Sequence, residues 1–235
     1  MQMNQNVFPQ DLFNQQLSYR EAQSISTRMT VRIDEDIREV QYYSNVIERI
    51  NELTENDELH VVINTGGGSL QSTLAIINAI NNCQAEVTGI IEGEASSGGS
   101  AIALSCPSLA VSPYATLFIH AASGITGGKM PDHAAMFSFN HKWQSEVLSD
   151  IYRGFLTDKE LEEMFNGKDF YFDADGIIER LEQRAKYYEN KAKEAEKAEK
   201  KQQLENAKRS QVEVSKPKRK SQKALLDEMM EELTT

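Results

Sequence analysis

The sequence predicts an α/β fold, and three patterns predict it. Short apolar runs end in turns rich in glycine and serine, apolar positions at helical spacing follow each turn, and this strand-turn-helix unit occurs twice between Leu59 and Ser105. In such folds the chemistry sits on the loops at the strand ends.

Residues 1–26 read as an N-terminal arm, rich in Gln and Asn and without a sustained period. Met29 to Ile33 alternates apolar and polar side chains like a strand, and Asp34-Glu35-Asp36 reads as the turn that follows. Val40, Tyr43, Val46, Ile47, Ile50 and Leu53 recur at helical spacing, ending in the polar Thr54-Glu55-Asn56-Asp57.

The first complete unit is the buried-strand pattern Leu59 to Asn64, the turn Thr65-Gly66-Gly67-Gly68-Ser69, and helical positions Leu70, Leu74, Ile76, Ile77 and Ile80. The second is strand 87–91, a Gly/Ser turn over 93–100 and a short helix over 101–105. Leu109 to Ser112 and Ala115 to His120 read as further strands. A long helix is predicted from Pro131 to Arg153, and Thr157-Asp158-Lys159-Glu160 reads as a capping box opening a helix over 158–165. Lys168 to Phe172 is strand-like, and a final helix starts at Asp173-Ala174-Asp175. The chain thus divides into the arm, a domain over 27–184, and a charged helical or disordered extension over 185–235.

Charge narrows the function classes. The formal net charge is −11, yet residues 186–235 carry 13 Lys/Arg against 10 Asp/Glu, which leaves −14 on residues 1–185. An acidic folded part argues against nucleic acid as its partner. The basic run Lys216-Pro217-Lys218-Arg219-Lys220 reads as a solvated linker in preference to a nucleic-acid or targeting segment. Two cysteines without CxxC spacing, and no basic-then-apolar N-terminal pattern, lead to the expectation of a reducing, cytoplasmic setting. No apolar stretch reaches membrane-spanning length.

Gly93-Glu94-Ala95-Ser96-Ser97-Gly98-Gly99-Ser100 lies between an apolar run and a helical stretch, which is where a serine nucleophile sits on a sharp turn. Small neighbours let the chain turn, and the N–H of Gly98 at a helix start can face a developing oxyanion. Serine hydrolysis also needs a base and a group that orients it. His120 ends an apolar strand and is the candidate base. His60, His133 and His141 fit surface or packing roles on a strand and a helix. Asp169, between a helix end and the aromatic run Phe170-Tyr171-Phe172, is the candidate orienting acid; a local turn or a pair with Lys168 would explain it equally well.

Taken together, Ile63-Asn64-Thr65-Gly66-Gly67-Gly68-Ser69, Gly93 to Gly99, Phe118-Ile119-His120 and Lys168-Asp169-Phe170-Tyr171 resemble the successive motifs of the ClpP family, the proteolytic subunit of Clp proteases. The similarity runs from about Thr27 to Arg180, in the family's order. It implies a ClpP/crotonase-like stack of β-β-α units, with Ser97 as nucleophile, His120 as general base, Asp169 as the holder of the imidazole, and the N–H groups of Gly68 and Gly98 as oxyanion hole. It also implies a handle helix over 131–153 and a substrate-binding segment including Gly124, Gly127 and Gly128. Family members assemble into heptameric rings, usually two, around a chamber that receives a polypeptide substrate. No metal or organic cofactor is implied. Any AAA+ ATPase would be a separate chain, since no phosphate-loop motif occurs.

Gly66 stands where the family has proline, Gly98 stands where it has methionine, and the family's ending after Asp169 is matched only loosely. A bacteriophage capsid-maturation protease of the same fold, with a capsid or scaffold protein as partner, is the alternative of the same chemistry. A non-catalytic scaffold subunit, an enoyl-CoA hydratase relative and a Ser-Lys protease using Lys129 or Lys142 are the alternatives of different chemistry.

Overall fold

The computed structural model describes residues 26–123 and 129–214. Gly124, Gly127 and Gly128 and the basic run 216–220 lie outside the described residues. The chain forms two compact units that divide after Ser112.

The first unit is built on a parallel sheet of four strands, β1 (Arg28–Ile33), β2 (Glu58–Thr65), β3 (Glu86–Ser96) and β4 (Ser108–Val111), in the order β1-β2-β3-β4. Helices α1 (Ser44–Asn51), α2 (Leu70–Asn82) and α3 (Gly98–Ser105) make the crossovers that parallel strands require. Leu59, Ile63, Ile91, Ile80 and Ile102 are fully buried, which fits strands that read as continuous apolar runs. The predicted helix over residues 40–53 forms only in part. Val40–Tyr42 is a 3-10 turn, and α1 starts at Ser44.

β3 departs more informatively from expectation. The predicted turn over 93–100 shrinks to one residue, because β3 continues to Ser96 and α3 begins at Gly98. A bulge makes the extra length possible. Ile63 pairs with Ile91, but Thr65 pairs with Ala95, so β3 spends two more residues than β2 over that interval. The side chain of Asn64 fills the gap in the ladder by accepting the Glu94 N–H at 3.0 Å.

The second unit carries an antiparallel pair, β5 (Thr116–Ile119) and β6 (Phe170–Asp173), with helices α4 (Met130–Tyr152), α5 (Asp158–Phe165) and α6 (Ala174–Val214). Its core holds Tyr152, Phe155, Leu156, Met164 and Ile177. The capping box at α5 forms as the sequence predicts: Thr157 Oγ1 accepts from the Glu160 N–H at 3.2 Å, and Glu160 Oε2 accepts from the Thr157 N–H at 2.8 Å. Glu160 also receives both arms of Arg180, at 2.6 and 2.8 Å, which ties α5 to α6. Those Arg180 hydrogen bonds, together with those from Thr157, hold the Glu160 carboxyl down to about 2 against the desolvation that opposes them.

α6 runs without a break through residue 184, and residues 189–203 are exposed throughout. It is a single helix whose first part is packed and whose continuation is solvated, in line with its Lys/Glu-rich composition. Among the described residues no helix is long and apolar enough to cross a membrane.

Candidate active site

Ser97 makes the whole turn between β3 and α3. Its φ of 52° and ψ of −117° give it positive φ, alone among the described non-glycine residues. These angles belong to the first central position of a type II′ turn, which glycine adopts freely and other residues adopt under strain. Residues 98–100 are buried while Ser97 is partly exposed, so the elbow lifts this serine clear of the helix it caps. Its own carbonyl is absorbed into α3, accepting from the Ala101 N–H at 3.2 Å and from Ser100 Oγ at 2.7 Å.

The glycine loop after β2 packs directly on this elbow. A Cβ placed on Gly67 would stand 2.7 Å from the Ser96 carbonyl oxygen, 2.7 Å from Ser97 Cβ and 3.0 Å from the Gly98 nitrogen. Gly67 and Gly68 also have φ of 98° and 146°, a conformation that disfavours any side chain. The loop is anchored by Thr65, whose Oγ1 donates to the Glu35 carbonyl at 2.6 Å and accepts from the Gly67 N–H at 3.1 Å. The loop thus meets the elbow through Gly67, with Gly68 the next residue along it and Gly98 opening the first turn of α3. The first N–H groups of a helix have no intrahelical acceptor, so the donor at Gly98 suits an external oxyanion.

His120 and Asp169 belong to the second unit. β5 and β6 pair with Ile119 opposite Phe170, so His120 and Asp169 are the next positions outward, opposite one another where the ladder ends. The strand period of two assigns them to one face together with Phe118 and Tyr171. On that face Phe118 stacks on Tyr171, with centroids 4.5 Å apart, and on the imidazole of His120, with centroids 5.0 Å apart. Asp169 is exposed, and the register of the β5–β6 ladder relates it to His120. Lys168, the partner weighed for it, donates instead to Glu163 at 2.6 Å.

His141 is exposed on α4, and His60 on β2 lies 3.8 Å from Glu58. Lys142 pairs with Glu146 at 3.9 Å on the exposed side of α4, and Lys129 is exposed at its start. Burial pushes the Cys106 thiol up to about 12, so it offers no thiolate nucleophile.

A family model for Clp protease matches residues 14–175. The chain belongs to the Clp protease family. That makes it a peptidase of the ClpP type, and members of the family generally form oligomeric rings. No curated protein matches the sequence. The family match begins inside the N-terminal arm and stops just after α6 begins, so the long exposed part of α6 lies outside it.

Of two departures from the family pattern in this Clp protease, only one acquires a local explanation. At Gly66 a Cβ would meet only Asp36 Oδ1, at an ordinary 3.9 Å, so the position could carry a side chain. At Gly98 a Cβ would run into Thr73 Oγ1 on α2 and stand 3.1 Å from Ile37 Cδ1. Glycine at 98 goes with the close approach of α2 to α3, a pairing that single-residue reading of the motif could not anticipate.

Proposed function

We propose that this Clp protease is a serine endopeptidase in which Ser97 attacks the peptide carbonyl, His120 takes its proton and Asp169 orients the imidazole. The backbone N–H groups of Gly68 and Gly98 receive the charge that develops on the carbonyl oxygen. His120 then protonates the leaving amine, and water, activated by the same imidazole, releases the acyl group from Ser97 Oγ. No cofactor enters this scheme.

The observation that carries the reading is the conformation of Ser97: a strained positive-φ residue at a strand-to-helix turn, with the Gly67-Gly68 loop packed against it. Backbone strain of this kind persists where the surrounding structure enforces it, and a nucleophile elbow is one setting that does so. The ladder-end pairing of positions 120 and 169, and the aromatic face beneath His120, support the other two roles.

In this reading residues 27–184 form the protease domain, and 185–235 are an appended extension. The subunits assemble into rings of seven, stacked in pairs around a chamber. The exposed Met136, Phe137 and Phe139 on α4, the family's handle helix, supply apolar surface for such assembly. A cytoplasmic setting is consistent with the two cysteines, both free.

A fluorophosphonate probe tests the reading. Labelling at Ser97 is expected in the wild type, with loss in Ser97→Ala and His120→Ala, and native mass measurement on the same sample reads the assembly. A folded, assembled wild type that takes up no probe would favour a non-catalytic subunit.

A further inference from the structure

The oxyanion loop is held by a segment that none of the four sequence motifs includes. Between β1 and α1, Ile37 pairs with Gly68 as an isolated parallel bridge. The Ile37 N–H donates to the Gly67 carbonyl at 2.7 Å, and the Ser69 N–H donates to the Ile37 carbonyl at 2.8 Å. In a bridge of this form the bonds straddle Gly68, and the N–H and C=O of Gly68 itself point to the opposite edge. The pairing thus clamps the loop on both sides of the donor while aiming that donor away from the clamp.

Glycine at 68 is what lets Ile37 come so close. A Cβ there would collide with the Ile37 carbonyl oxygen and stand 2.8 Å from its nitrogen. Neighbouring bonds hold the clamp itself in place: Thr65 Oγ1 donates to the Glu35 carbonyl at 2.6 Å, and Ser72 Oγ donates to the Arg38 carbonyl at 2.5 Å. The Ile37 side chain, 3% exposed, reaches the other donor, since its Cδ1 lies 3.1 Å from where a Cβ on Gly98 would be. One residue therefore touches both halves of the oxyanion site, one through its backbone and one through its side chain.

We infer that Ile37 is the positioning residue that sets the spacing and direction of the Gly68 and Gly98 donors. This rests on the serine-peptidase reading of Ser97. Ile37 contacts no substrate in this role; it acts through the two glycines. Removing a whole oxyanion donor typically costs about 10²- to 10³-fold in kcat, and a misplacement of about 1 Å costs up to about 10²-fold. Truncating Ile37 leaves both donors present but loosens their spacing, so a loss of roughly 10- to 100-fold is expected.

The test compares Ile37→Ala, Ile37→Val and Leu53→Ala in the full-length protein, with a fluorogenic peptide below the melting temperature of each variant. Leu53 is equally buried at 4% exposed and serves as the control for lost packing. Ile37→Ala is expected to lower kcat with KM within about threefold, and to weaken a peptide boronate, whose hydroxyl occupies the oxyanion position, by a similar factor. Ile37→Val should recover most of the loss, and Leu53→Ala should keep kcat. If Ile37→Ala does not fold, Ile37→Val alone should still lower kcat and boronate affinity together, by about two- to fivefold. Unchanged kcat in the folded Ile37 variants, a change confined to KM, or an equal loss in Leu53→Ala overturns the inference. Failure of the underlying reading would look different, because the wild type itself would then take no fluorophosphonate label.

Discussion

Strain at Ser97 has a measurable thermodynamic consequence. At φ 52° and ψ −117° a side chain costs about 1–3 kcal/mol, and the cost falls on the Cβ that every residue except glycine carries. Ser97→Ala keeps that Cβ and keeps the strain. Ser97→Gly removes it, at a cost of about 0.5–1 kcal/mol because glycine has more freedom to lose on folding. Both variants lack the hydroxyl, so whatever Ser97 Oγ contributes to stability cancels between them. The difference left is about 0 to 2.5 kcal/mol in favour of glycine, centred near 1. For a chain of this size 1 kcal/mol moves Tm by roughly 2–4 °C. Urea unfolding and calorimetry on the two inactive variants read this directly. Glycine should be the more stable, although in an ordinary first helical turn or strand the order would be reversed. A Ser97→Gly protein less stable than Ser97→Ala by 1 kcal/mol or more, with both native by circular dichroism, would refute the strained elbow and with it the main support for Ser97 as nucleophile.

Two further predictions concern packing and charge. Gly98→Ala should destabilise by about 1–3 kcal/mol through the collision with Thr73 Oγ1. Thr73→Ala removes that atom, so the double variant should be more stable than the two single losses predict by about 1 kcal/mol; strict additivity in chemical denaturation would argue against the contact. At Glu160 the folded carboxyl titrates near 2 against an ordinary 4.5. Because the folded value is the lower one, its contribution is complete above about pH 4.5 and fades as pH falls towards 2. At about 1.4 kcal/mol per pH unit it reaches at most about 3.5 kcal/mol. Glu160→Gln should therefore lower stability at pH 7 and converge on wild type only near pH 2 or below, whereas parallel curves across that range would exclude the Arg180 pair as the cause.

Much of this molecule was legible in its sequence because strand ends and glycine turns leave local signatures. The capping box at Thr157 and Glu160, the parallel strands of the first unit and the long α4 all follow from patterns a few residues wide. Misses arose where the deciding atoms lie far along the chain. The segment Gly93 to Ser96 looked like turn because its residues are small, yet it is strand, since Asn64, 30 positions away, completes the ladder with its side chain. The aromatic run after Asp169 does not show which of its side chains face inward; alternation puts Phe170 inside and leaves Asp169 exposed.

The same distinction explains why the turn at Ser97 was visible and its support was not. A glycine run advertises itself, because only glycine tolerates the φ of 98° at Gly67 and of 146° at Gly68. The residue that exploits this tolerance carries no such mark. Ile37 is an apolar residue in an acidic connection, and its work is done by a backbone N–H and C=O that every residue except proline possesses. Positive φ at Gly68 thus records one side of a contact whose other side is chemically anonymous. Gly68 could be replaced only by rebuilding Ile37's path, and Ile37's path could shift only by moving the Gly67–Ser69 loop bonded to it. That mutual dependence would suit the proposed oxyanion role, since a donor stabilises the transition state in proportion to how little it must reorganise when the charge appears.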